Sequence, residues 1–129
     1  TDIGLRNARL GFRQIDTGHI MENIIYNELL IRGYSVDVGV VVDRRNGANA
    51  KKEIDFVVNQ GDKRLYIQSA WQMNTDEKIK AELDSLKLTK DFFAKIIIQN
   101  DIPSHFTDDD GILHCNLIEF LLHPEILPM

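Results

Sequence analysis

The chain has 129 residues, 43% of them hydrophobic and 27% charged, with three prolines and a formal net charge of −5. That length suits one domain burying about two-thirds of the surface its unfolded form exposes, and the composition excludes a disordered or low-complexity chain. The acidic balance argues against a broad nucleic-acid surface, which needs concentrated lysine and arginine. No apolar run nears the ~18 residues of a membrane span, and Thr1-Asp2-Ile3-Gly4 lacks the form of a signal peptide, so no membrane partner and a cytoplasmic location are expected. Cys115 is the single cysteine, which excludes an internal disulfide and reads best as a small buried apolar residue.

Residues 1–15 mix Gly4, Gly11, Arg6 and Arg9 with scattered apolar positions and read as a lead-in segment. Because the chain does not open on Met, it is expected to be a piece of something longer. Residues 16–129 read as a single α/β domain. From Asp16 to Arg32 two helical stripes run side by side, Ile20, Ile24 and Ile31 on one and Met21, Ile25 and Leu29 on the other, closed by Gly33. So apolar a helix is expected to be covered on most sides. Ser35 to Arg45 is β-branched and ends at Asn46-Gly47, a strand entering a turn. Lys52 to Asn59 and Arg64 to Trp71 form a hairpin about Gly61-Asp62.

Asn74 and Glu77 make a capping box for a helix that carries Ile79, Leu83 and Leu86 to about Thr89. Ala94 to Gln99 holds Ile96-Ile97-Ile98, a continuous apolar run suited to a strand covered on both faces in a parallel pairing. Ile112 to Cys115 reads as a short edge strand, and Asn116 with Glu119 boxes a last helix ended by His123-Pro124. The fold class expected is three-layer α/β: helix, three-stranded antiparallel meander, helix, parallel strand, edge strand and C-terminal helix.

The hairpin carries the chemistry. With Gly61 and Asp62 as its loop, Asp55 faces Gln68 and Glu53 faces Ala70. Alternation puts Ile54, Phe56 and Val58 on one face with Leu65, Ile67 and Trp71. The other face then holds Glu53, Asp55, Tyr66, Gln68 and Ala70. Glu22 precedes Ile25, Tyr26 and Leu29 by three, four and seven residues, so it projects from an apolar arc toward the protein. Spacing alone fits a satisfied structural Glu at least as well as a metal ligand.

Together, Glu22 on a helix, Asp55 on a strand and the triplet Gln68-Ser69-Ala70 resemble the restriction-endonuclease-like core of PD-(D/E)xK nucleases. More closely, Asp16-x-Gly18-His19-x-x-Glu22-Asn23, Glu28-Leu29-Leu30-x-Arg32-Gly33-Tyr34, Glu53-Ile54-Asp55-Phe56 and Tyr66-Ile67-Gln68 look like the domain of unknown function that follows the ATPase module in many bacterial and archaeal AAA+ family ATPases. Thr1-Asp2-x-Gly4-Leu5-Arg6-Asn7 resembles the segment where that domain joins the rest of the protein. The resemblance covers nearly the whole chain.

It implies a vestigial catalytic site at Glu22, Asp55 and Gln68. In a working enzyme of that type two carboxylates hold Mg²⁺ and a lysine positions the attacking water; here Ala70 occupies the lysine position. Gln68 offers at most a neutral oxygen. The leading expectation is a non-catalytic, nuclease-like accessory domain of an AAA+-type ATPase serving recognition, assembly or DNA engagement, with no cofactor of its own and the ATPase module of the same chain as partner. No Walker A run is present, so ATP would bind elsewhere in a longer protein. One alternative is an Mg-dependent DNA endonuclease with Asp55 and Glu22 as metal ligands and a lysine relocated to Lys78 or Lys80. Another is a dimerisation or partner-binding module using Trp71 or Phe92-Phe93, although these read better as core aromatics. His19, His105, His114 and His123 lack zinc spacing, and Asp108-Asp109-Asp110-Gly111 lacks the calcium-loop pattern, so neither ion is expected.

Overall fold

A computed structural model describes residues 14–44, 50–71, 76–89 and 91–128. The expected lead-in over 1–15, the Asn46-Gly47 turn and the Asn74 end of the Asn74–Glu77 capping box therefore fall largely or wholly outside the described residues. The elements are α1 (Gln14–Ile31), β1 (Ser35–Asp43), β2 (Ala50–Gln60), β3 (Lys63–Ala70), α2 (Asp76–Lys87), β4 (Ala94–Gln99), β5 (Phe106–Thr107), β6 (Leu113–Asn116) and α3 (Leu117–Leu122), followed by a 3-10 turn at Pro124–Ile126. The six strands form one mixed sheet in the order β1-β2-β3-β4-β6-β5. The β1-β2-β3 meander is antiparallel, β4 joins β3 and β6 joins β4 in parallel, and β5 closes the far edge antiparallel to β6.

α1 ends where Gly33 adopts φ +89, with the Gly33 N–H donating to the Leu30 carbonyl and the Tyr34 N–H to the Leu29 carbonyl. Glycine takes that left-handed turn at little cost because it has no Cβ. Met21, Ile25 and Leu29 are buried on one sheet face with Phe56, Val58, Leu65, Ile67, Ile96, Ile98, Cys115 and Phe120. The opposite face packs Ile54, Tyr66, Ala70, Leu86, Ile97 and Ile112. The three central isoleucines thus face both layers and are fully buried, as a strand inside a parallel region requires. Asn116 caps α3: its side-chain oxygen accepts the Ile118 N–H, and Glu119 lies in the first turn. Cys115 lies in the core, where burial pushes its thiol up to about 12.

Three expectations are corrected. α1 is not covered on most sides: Ile24, Tyr26, Leu30 and Ile31 are exposed, because a single helix lying on a sheet buries one stripe. The strand ending near Cys115 is not an edge; β5 lies outside it, with Phe106 stacked on His114 at 4.4 Å. Two residues are too few for alternation to reveal such a strand. Trp71 packs against the core, but Phe92 is fully exposed and Phe93 partly so, in the loop between α2 and β4. Among the described residues no helix is long and apolar enough to cross a membrane.

Candidate functional site

β2 and β3 pair as the turn demands from Gln60–Lys63 up to Phe56–Ile67, and there the ladder stops. Beyond it, side chains do the joining. Gln68 Oε1 accepts the Asp55 N–H at 2.7 Å, and Gln68 Nε2 donates to the Glu53 carbonyl at 3.3 Å. The Asp55 carboxylate, in turn, accepts the Ser69 N–H at 2.9 Å. The strands have parted, and one amide and one carboxylate satisfy the backbone groups that the parting exposes.

On its other side β2 carries a bulge. Asp37 pairs with Val57 but Gly39 pairs with Ile54, so Asp55 and Phe56 together stand opposite Val38. A Cβ on Gly39 would lie 2.6 Å from Val57 Cγ2 and 3.3 Å from Ile54 Cβ, which is why this position carries none. The bulge overturns the simple alternation read from the sequence. Ile54 faces the α2 layer with Tyr66 and Ala70, whereas Phe56 faces α1. Asp55 and Glu53 line a cleft of about 260 Å³ with Phe56, Val38 and the α1 residues His19, Glu22, Asn23 and Tyr26.

The structure therefore brings Glu22 and Asp55 together and keeps Gln68 and Ala70 out of their cleft. Gln68 is buried at 4% exposure with its amide engaged on the backbone, so it does not present a free oxygen beside Asp55. Ala70, at 6% exposure, packs in the core beneath α2. Tyr66, which alternation also assigned to the site, sends its hydroxyl to Asp91 at 2.6 Å instead.

Electrostatics widen the cluster. Burial raises the Asp55 carboxyl above the ordinary range, against the Ser69 hydrogen bonds that lower it, and Glu53 adds repulsion. Glu22 is raised by burial first and then by Asp55 and Glu53, with His19, 3.9 Å away, acting the other way. Glu82 on α2 is raised to about 7, by burial and then by Asp55 and Glu22, while Lys78 pulls it down. Asp55 stands in the gap between strands, and acids from both layers feel it. Spacing could have found Glu82, which follows Ile79 by three residues and precedes Leu86 by four. It interrupts an apolar stripe as Glu22 does.

Of the nuclease-type ligand set, Glu22 and Asp55 share the cleft. Among the described residues no group of three or more His, Cys, Asp or Glu side chains is placed to hold an ion, and the Gln68 oxygen is already taken. Two lysines, on β2 and α2, are engaged in ion pairs. Lys52 Nζ lies 2.9 Å from Asp84 and 4.0 Å from Asp43, and Lys87 pairs with Asp110 at 2.9 Å. His105 and His123 face Glu119 and Glu125 in a separate cleft, and Asp108 holds its turn by accepting the Asp110 and Ile112 N–H groups.

A mixed α/β domain with a bulged, parted hairpin and an acidic cleft beneath its first helix is the class that fold and site define. The chain belongs to the family described as Domain of unknown function (DUF4143), whose profile matches residues 17–117. An uncharacterised protein of Haemophilus influenzae is 36% identical over 121 residues, covering 94% of this chain and 27% of the relative. The chain thus spans about a quarter of that relative's length.

Proposed function

We propose that this domain is a non-catalytic, nuclease-like accessory domain of a larger AAA+-type ATPase, serving recognition, assembly or DNA engagement. The order of helix, three-stranded meander, helix and parallel strand supports a restriction-endonuclease-like ancestry. The observation that carries the loss of catalysis is Ala70, buried in the core where a working nuclease of that kind presents its lysine. Gln68 supports the same reading, since its amide holds two strands together and leaves no carboxylate in its place. The greater length of the Haemophilus influenzae relative leaves room for an ATPase module, which would be where ATP binds. Fold does not fix function, so the site decides.

The test is direct. Purified chain incubated with plasmid or branched DNA and Mg²⁺ or Mn²⁺ should give no cleavage, and calorimetry with either ion should give no binding. Metal-dependent cleavage that disappears in Asp55→Ala would overturn the reading. One observation favours the metal-dependent nuclease with a relocated lysine: Lys78 on α2 acts electrostatically on Glu82, which in turn feels Asp55. Under that alternative Lys78→Ala abolishes cleavage as completely as Asp55→Ala.

A further inference from the structure

We propose that the outer edge of β1 pairs antiparallel with β1 of a second copy of this chain, about a two-fold axis through Gly39. β1 is a terminal strand of the sheet, and among the described residues it pairs only with β2. An edge strand offers a row of unpaired N–H and C=O groups, and natural sheets usually blunt it with Lys, Pro, a bulge or a short length. In β1 the charged residues are two acids, Asp37 and the buried Asp43. The strand runs nine residues, Ser35–Asp43, without Lys, Arg or Pro, and the extra residue of the bulge lies on β2.

The strand also carries an uncovered apolar face. Val38, Val40 and Val42 are 66%, 58% and 38% exposed. Val38 lines the cleft under α1, and alternation puts Val40 and Val42 on that same face while Val41 packs against the other layer. An apolar row on an exposed sheet edge gains by burial against another apolar surface.

The sequence of the strand chooses a second copy. In Ser-Val-Asp-Val-Gly-Val-Val-Val-Asp, valines stand at equal distances either side of Gly39, Val38 with Val40 and Val36 with Val42. Centred there, Val38 faces Val40 of the second copy, Val36 faces Val42, Asp37 faces Val41 and Asp43 faces Ser35. No two acids oppose. Sliding the axis by one residue to Val40 would set Asp37 against Asp43, a like-charge pair that costs stability. The two-fold axis stands normal to the sheet, so both α1 layers and both acidic clefts lie on one face, with the two β2 strands roughly 14 Å apart across three strand spacings. Val40 of the second copy then borders Val38 at the rim of the cleft. The interface is independent of whether the cleft has catalytic power.

Sedimentation equilibrium of the chain should give a closed dimer. Val40→Lys, at an exposed position, should give a monomer with an unchanged circular dichroism spectrum. Oxidising Val38→Cys mixed with Val40→Cys should cross-link in higher yield than either variant alone, and buried Cys115 does not compete. A wild-type chain monomeric at every concentration overturns the proposal, and so does a dimer that survives Val40→Lys. Equal cross-linking yields overturn the register. A monomer whose β1 amides are protected from hydrogen exchange overturns it too, because the edge is then covered from within the chain.

Discussion

The Asp55 carboxylate accepts the Ser69 main-chain N–H at 2.9 Å, across the gap where β2 and β3 stop pairing. The contact gives Asp55 a structural task whatever else it does. Asp55→Ala leaves a part-buried N–H without an acceptor and should cost about 1–3 kcal/mol in chemical denaturation. Asp55→Asn keeps an oxygen there and removes repulsion with Glu53, so its loss should be well under that of Ala. Equal losses in the two variants would show that the hydrogen bond is not what matters.

Gln68 makes the matching bridge from the other strand. Gln68→Ala uncovers the Asp55 N–H and the Glu53 carbonyl together, and about 1–3 kcal/mol of stability should be lost. Gln68→Glu can still accept from Asp55 but cannot donate to Glu53, and it adds a negative charge to a cluster of acids. It should therefore be no milder than Ala, and its deficit should shrink as the pH is lowered. A fully stable Gln68→Glu at neutral pH would contradict the bridging role.

Rebuilding the nuclease triplet should fail for a physical reason. Ala70 lies among Ile54, Leu86 and Ile97, so Ala70→Lys must bury or extrude a long charged side chain beneath α2. Overpacking and charge burial together should cost about 3 kcal/mol or more. The double variant Gln68→Glu with Ala70→Lys should unfold more readily than wild type and leave plasmid DNA intact with Mg²⁺. Cleavage by that variant would mean that the frame keeps a usable lysine position.

Much of this architecture was legible in the residues. The hairpin register followed from a two-residue turn, the parallel strand from Ile96-Ile97-Ile98, and the α3 cap from Asn116 with Glu119. These are local signals, each spelled within a few positions. The bulge was not legible, because it depends on Gly39 of β1 meeting Ile54 and Val57 of β2, contacts far apart in sequence. A one-residue slip there reassigned Ile54 to the opposite layer, and Gln68 meets the Asp55 main chain instead of joining its carboxylate in the cleft. Of the site, Glu22 and Asp55 came from helical and strand periodicity. Glu82 obeys the same helical rule, three residues after Ile79 and four before Leu86.

Glu82 supplies the pH dependence. Its folded carboxyl is raised to about 7 from an ordinary 4.5, chiefly by burial and then by Asp55 and Glu22. A raised carboxyl favours the folded state while it is protonated, so that contribution is complete below 4.5 and is lost as pH rises through about 7. Asp55 and Glu22 are raised in the same sense and add to the trend. Glu82→Gln removes the largest part of it. The variant should match wild type near pH 4, and above about pH 7.5 it should be the more stable by about 1–2 kcal/mol, a figure reduced for its partial solvent access. Urea denaturation across that range measures the difference directly. A gap that fails to widen with pH would mean that Glu82 is freely solvated, and the acids of the two layers would then not be coupled through Asp55.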